Sequence, residues 1–287
     1  MLVPSTVKQV SLHNDWRHSA AYPPLGFFPF FDAELGNGDS FGLYWPIGRE
    51  TFEPIVVEAW HDGWRVQPSF SSLPVFLKAL SASDEEYVEM PSLADDPSSP
   101  RACYEAAKLK IAGQDPDAAI SLLETAISIL PEYTDALSLL HAQYVRAGRA
   151  DEAMTIAVRA IISPPSFGQR PNKVLRWLKS QSASSAWTDD PIWRAKDQLN
   201  LIYGGTKENS DYPILLAAID NYIANAKLIA ASTLMQTYAE LISSETVSFQ
   251  ERYGFNGSNF IARQIEISSL LPGGTRDPSL LRVDEQI

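Results

Sequence analysis

The sequence contains a single cysteine, Cys103, so no disulfide can form within the chain. That usage fits a reducing compartment. It also lacks any apolar run of the ~18 residues that a membrane span requires. Its first residues show no basic segment leading into an apolar one, so no signal peptide is expected. Together these absences point to a soluble cytoplasmic protein. Cations are scarce as well: 23 Lys and Arg stand against 35 Asp and Glu, for a net charge of −12. The deficit is steepest in residues 1–90, which hold 5 against 12. Nucleic-acid binding draws most of its affinity from cation–phosphate contacts, which argues against that class of partner. An acidic surface attracts basic proteins and speeds the encounter, although acidity also serves solubility alone.

Motifs for chemistry are missing too. No phosphate-loop lysine motif and no G-x-S-x-G turn is present. The glycines Gly36, Gly38 and Gly42 have the wrong spacing for a dinucleotide loop, and a strand follows them, so they read as turn residues. The histidines are His13, His18, His61 and His141. None has a second histidine or cysteine at metal-ligand spacing. His61-Asp62 reads as a hairpin turn rather than an acid–base pair, because strand neighbours point apart. Cys103 falls on a helix with a packing role. Asp95-Asp96 and Asp189-Asp190 precede prolines and read as linker and helix-cap carboxylates. No catalytic residue, cofactor or metal is expected.

What is present divides into two patterns. Residues 26–70 are β-rich. Phe41-Gly42-Leu43-Tyr44-Trp45 and Ile55-Val56-Val57-Glu58-Ala59-Trp60 read as strands, and Trp64-Arg65-Val66-Gln67 as a returning strand after the His61-Asp62-Gly63 turn. A short helix is expected from Ser71 or Ser72 to Leu80, with Leu73, Phe76, Leu77 and Leu80 on one face. Residues 91–100, with Pro91, Pro97 and Pro100, form the best linker.

Beyond it the pattern is helical and it repeats. Pro131 and Pro165 are 34 residues apart, as are Ala119 and Ala153, and Ala126 and Ala160. Coincident offsets at a recognised period mark stacked helix pairs. The first unit breaks near Gly113, after which Asp115 caps a helix with Pro116 at its first position. The second breaks at Gly148, a left-handed C-cap position. Ala107, Ala119, Ala126 and Pro131, then Tyr144, Gly148, Ala153, Ala160 and Pro165, resemble the tetratricopeptide repeat. His141 departs from it, standing where a small residue is usual. Two repeats are too few for a stable solenoid, so the following helices are expected to continue it irregularly. These are Pro171–Lys179, a helix opened by Asp190-Pro191 and ended by Gly204-Gly205, a long stretch from Asp211 with a break near Ala230–Ser232, and one capped by Ser258. Arg170, Lys173, Arg176 and Lys179 make a basic stripe, read as a solvated face or a contact for an acidic surface.

The N-terminal pattern is similar to the second half of SUKH-superfamily domains. The resemblance lies in Phe28-Pro29-Phe30-Phe31-Asp32, Gly36-Asn37-Gly38-Asp39, Leu43-Tyr44-Trp45-Pro46, Pro54-Ile55-Val56-Val57 and the closing stretch Ser69–Leu77. The usual N-terminal helix of that family is not visible in residues 1–24, so the domain is truncated. What the resemblance implies is an immunity protein that binds and neutralises a bacterial toxin domain. An outward tryptophan among acidic groups would anchor a basic partner. The candidates are Trp45, Trp60 and Trp64 with Glu50, Glu53, Glu58 and Asp62, and core packing is expected for at least two of the three tryptophans. The partner-binding set is therefore Trp45, Glu50, Glu53, Glu58, Asp62 and Trp64.

The fold expected is α+β: a small, truncated SUKH-like β-rich domain over residues 1–90 and a linker over 91–100. An all-α tetratricopeptide-like domain follows over 101–274, then a flexible tail over 275–287. The function expected is an antitoxin acting by protein–protein contact on a basic toxin domain, without nucleic acid or membrane. The alternative is an adaptor that holds a peptide or helix of a host protein.

Overall fold

The computed structural model describes residues 24–34, 38–82, 88–182, 187–204 and 208–271. The expectations for residues 1–23, for Gly36 and Asn37 of the predicted turn, and for the tail lie outside the described residues. The structure divides into two units, one with described residues up to Pro131 and one from Glu132 to Leu271.

In the first unit, β1 (Phe27–Glu34), β2 (Ser40–Tyr44), β3 (Ile55–Trp60) and β4 (Arg65–Phe70) form one antiparallel sheet in chain order. Pro29 and Pro68 fall on the two edge strands, where a missing N–H costs no ladder bond. Side chains alternate across the sheet. Phe41 and Leu43, Val56 and Phe70 share the face covered by α1 (Leu73–Ala82). Phe76 of α1 sits at the centre, its ring 5.5, 5.1 and 5.3 Å from those of Phe30, Phe41 and Phe70. The opposite face, with Phe27, Tyr44, Ile55, Val57 and Val66, is buried as well. Gly42 is a strand residue in close contact with β1: a Cβ there would lie 2.6 Å from the Phe27 ring.

The stretch expected to be a linker is bonded into this unit. Asp96 is buried and its Oδ2 accepts from the Ser71 N–H at 2.8 Å. Ser99, fully buried, donates to the Ser69 carbonyl at 3.0 Å and caps α2 (Pro100–Ala112) by accepting from the Ala102 N–H. Helix α2 in turn packs on β4. Buried polar groups must find partners, and here the strand supplies them. The unit boundary therefore falls at Pro131 rather than at residues 91–100.

Helix α2 pairs with α3 (Pro116–Ile129) in the first unit, and α4 (Thr134–Arg146) pairs with α5 (Ala150–Ile162) in the second. Ala107, Ala119, Ala126, Ala153 and Ala160 are all fully buried, as close helix approach requires. A 3-10 turn, Pro165–Phe167, leads to α6 (Asn172–Ser180) and α7 (Pro191–Ala195). Asp190 caps α7, accepting from the Ile192 and Trp193 N–H groups at 2.9 and 3.2 Å. This helix is short and ends well before Gly204. Next come α8 (Asp211–Ala224), α9 (Leu228–Ser243), α10 (Val247–Arg252) and α11 (Gly257–Ser269). The break between α8 and α9 lies at Asn225–Lys227, earlier than expected, because Ala226 takes a left-handed φ of +54°. Asn256, not Ser258, caps α11, accepting from the Asn259 N–H at 3.0 Å. No helix among the described residues is long and apolar enough to cross a membrane.

Three helix pairs close with the same turn. Gln114, Gly148 and Ala226 hold φ values of +60°, +71° and +54°. The residue after each donates its N–H five residues back: Asp115 to Lys110 at 2.9 Å, Arg149 to Tyr144 at 2.9 Å, Lys227 to Tyr222 at 2.8 Å. This is the Schellman closure of a helix. Five residues past each left-handed position stands a fully buried alanine: Ala119, Ala153 and Ala231. The α8–α9 pair thus repeats the construction of the two sequence repeats, outside their 34-residue spacing.

Candidate protein-binding surface

The turn His61–Trp64 between β3 and β4 is held from below and presents an aromatic ring outward. Asp39 Oδ1 lies 2.9 Å from both the backbone nitrogen and Nδ1 of His61. The imidazole rests on Gly38, whose φ is +93° and where a Cβ would meet the ring at 2.9 Å. Only glycine fits both that backbone and that contact. Trp64 itself has φ +48° and is 46% exposed. A bulky side chain in the left-handed region costs of order 1–2 kcal/mol, so the surrounding contacts hold it there. Trp60 is half-buried, and its indole N–H donates to Glu58. Burial, the leading influence, raises the Glu58 carboxyl above its usual range, while the Trp60 bond and nearby Arg101 pull it down.

The six candidate residues do not assemble into one patch. Trp45, Glu50 and Glu53 precede β3, whereas Asp62 and Trp64 follow it. A six-residue strand separates the two groups, about 20 Å at ~3.3 Å per residue. Trp45 is also buried in the core, its ring edge-on to Phe28 at 5.6 Å. It lies on the same sheet face as Phe41 and Leu43, four and two residues before it, and alternation carries it inward. Glu50 is buried too. That leaves Asp62 and Trp64 exposed at one end, with half-buried Glu58 beside them, and Glu53 exposed at the other. One of the three tryptophans is fully buried rather than two.

Asp39, His61 and Asp62 bring one ligand atom each within 4.8 Å of one another. These are the described residues able to offer such a trio to a cation. Asp39 is already engaged by His61, and the geometry accounts for the group as a clasp on the turn. Cys103 is fully buried, its thiol near the Pro97 carbonyl, and burial raises its pKa. His141 is buried with its ring edge-on to Trp177 of α6, 4.6 Å between centroids. Burial pushes its pKa down to about 4, so it stays neutral. The large ring in a small-residue position is accommodated because α6 supplies that contact. Lys173 and Arg176 are exposed opposite the buried Val174, Leu175 and Leu178. They form a solvated face, while Arg170 lies over the Tyr203 ring at 5.1 Å.

One buried polar cluster was missed in the sequence. Glu240 of α9 is 4% exposed. Its Oε2 accepts from the Ser166 N–H at 3.0 Å, and its Oε1 lies 2.9 Å from Ser166 Oγ and accepts from Gln236 Nε2 at 2.8 Å. Gln264 Nε2 of α11 donates to Gln236 Oε1 at 3.3 Å. Desolvation, helped by nearby Glu132, pushes the Glu240 carboxyl up to about 7 against the hydrogen bonds that lower it. A lone glutamate in an apolar helix is the only trace of this in the chain.

An antiparallel sheet backed by one helix, followed by helix pairs closed by a shared turn, defines an α+β protein with tetratricopeptide-type repeats. Family comparison agrees: residues 110–165 match the tetratricopeptide repeat. Residues 12–89 match the YfbP N-terminal domain and residues 202–278 the YfbP C-terminal domain, which takes in α8 to α11. The chain is 39% identical over 237 residues to "Uncharacterized protein YfbP" of Escherichia coli (strain K12), covering 82% of this chain and 84% of that protein. The chain belongs to the YfbP family. The stretch that resembled SUKH domains falls within the match to the YfbP N-terminal domain, and no SUKH family model matches it.

Proposed function

We propose that the protein works by binding another protein, through its paired-helix surfaces and the Trp64 turn. The observation that carries this is the recurring helix pair with buried alanines at the packing positions, in a segment matching a repeat that generally mediates protein–protein contact. An exposed tryptophan on a fixed turn supports it, since rigid aromatics make good interface anchors. The partner is a basic protein, given the excess of acidic residues in the first third of the chain.

The finer reading is an antitoxin that neutralises a toxin domain in the cytoplasm. It is supported by the SUKH-like residues, which, where described, lie in or beside β1, β2, the start of β3, the end of β4 and α1. The test is co-expression with the adjacent open reading frame. If that frame is lethal alone and harmless with this chain, and the two purify together, the antitoxin reading stands. Growth arrest that persists, with a complex still formed, favours an adaptor. Absence of any complex sinks both.

A further inference from the structure

We propose that the Glu240 carboxyl is a proton-operated latch, fastening α9 to the Pro165–Phe167 turn when protonated and loosening that join when ionised. The join is built from Ser166, whose N–H and Oγ both meet the carboxyl, and it extends through Gln236 to Gln264 on α11. Next to it, Thr237 Oγ1 donates to the Ile162 carbonyl of α5 at 2.6 Å. A hydroxyl both donates and accepts, so Ser166 Oγ can accept the proton of a neutral Glu240 or donate to the carboxylate. Hydrogen bonding alone therefore allows the join in either state, and the charge added on ionisation is what weakens it.

The groups facing Glu240 decide which state is preferred. From the turn it meets Ser166, from its own helix Gln236, and beyond that Gln264 of α11; none of these titrates. The charged group that acts on it, among the described residues, is Glu132, buried and of like sign. Ionisation thus puts a second negative charge into a site closed to water, and opening the join relieves it. The folded group holds its proton to about 7 against an ordinary 4.5. Opening is consequently favoured as pH rises through that interval, and the proton passes to solvent.

Amide hydrogen exchange of the full chain tests this, read over residues 164–169 and 233–243 and corrected for intrinsic rates. With those two pKa values, protection is expected to fall about 50- to 100-fold between pH ~5 and pH ~8. The loss levels off above pH ~7. Glu240→Gln removes the pH dependence. Because an added amide donor could itself disturb the site, Glu132→Gln is the second variant: it removes the neighbouring charge and moves the fall to lower pH. A carbon-13 titration of the Glu240 carboxyl in the wild-type chain reads the same group directly. A carboxyl that titrates below pH ~5 in the folded protein, or protection flat across the range, overturns the proposal.

Discussion

Trp64 combines two properties that seldom occur together, an exposed indole and a left-handed backbone. Strain of this kind persists where something requires the side chain at that place. Trp64→Gly removes the ring and relieves the backbone. Its unfolding free energy is expected to equal or exceed the wild type's, while affinity for the partner falls at least ~10-fold. Calorimetric melting and titration of the purified complex read the two effects separately; unchanged affinity would remove the turn from the interface. Glu240 is the second residue with an energetic signature. A carboxyl at about 7 when folded and 4.5 when unfolded corresponds to about 3 kcal/mol at 1.36 kcal/mol per unit. The sign follows from proton uptake: the folded state binds the proton more tightly. The group's contribution is greatest below pH 4.5 and is lost as pH rises through about 7. Urea unfolding of wild type and Glu240→Gln at several pH values should show the two curves diverging over that interval. Parallel curves would mean that the carboxyl does not titrate there.

Among the elements, the repeated turn is the most informative. Gln114 and Gly148 occupy equivalent places 34 residues apart, both left-handed. A glycine adopts that backbone freely and a glutamine does not. Gln114→Gly should therefore stabilise the chain by about 1 kcal/mol, and Gly148→Ala should destabilise it by a similar amount. Chemical denaturation of both variants checks this; the same sign for both would contradict the shared geometry. The buried alanines give a sharper test of packing. Ala119→Leu and Ala153→Leu each add bulk where two helices touch and should cost about 1–3 kcal/mol. The sheet shows how placement escapes a linear reading. Trp45 and Trp64 both flank predicted strands with acidic residues nearby, yet β3 sets them at opposite ends and alternation turns Trp45 into the core. The α8–α9 pair was legible as helix but not as a third copy, because Ala226 carries no turn signal and the spacing departs from 34.

For the whole molecule, the net charge of −12 sets how a partner arrives. If that partner is basic, its association rate should fall about 10-fold or more between low salt and ~0.5 M salt, with a smaller change in dissociation. Stopped-flow mixing measures this, and an association rate indifferent to salt would exclude a basic partner. The sequence by itself determined the two repeat helix pairs, three of the four strands and the class of fold. Those signals are local: alanines where helices touch, prolines that end them, and apolar alternation along a strand. Tertiary structure alone decided which tryptophan faces outward, that the stretch before Pro100 is tied to β4, and that Glu240 is sealed beside Glu132. Each of these depends on atoms brought together from distant parts of the chain, and burial, which sets both exposure and protonation, exists only once they meet.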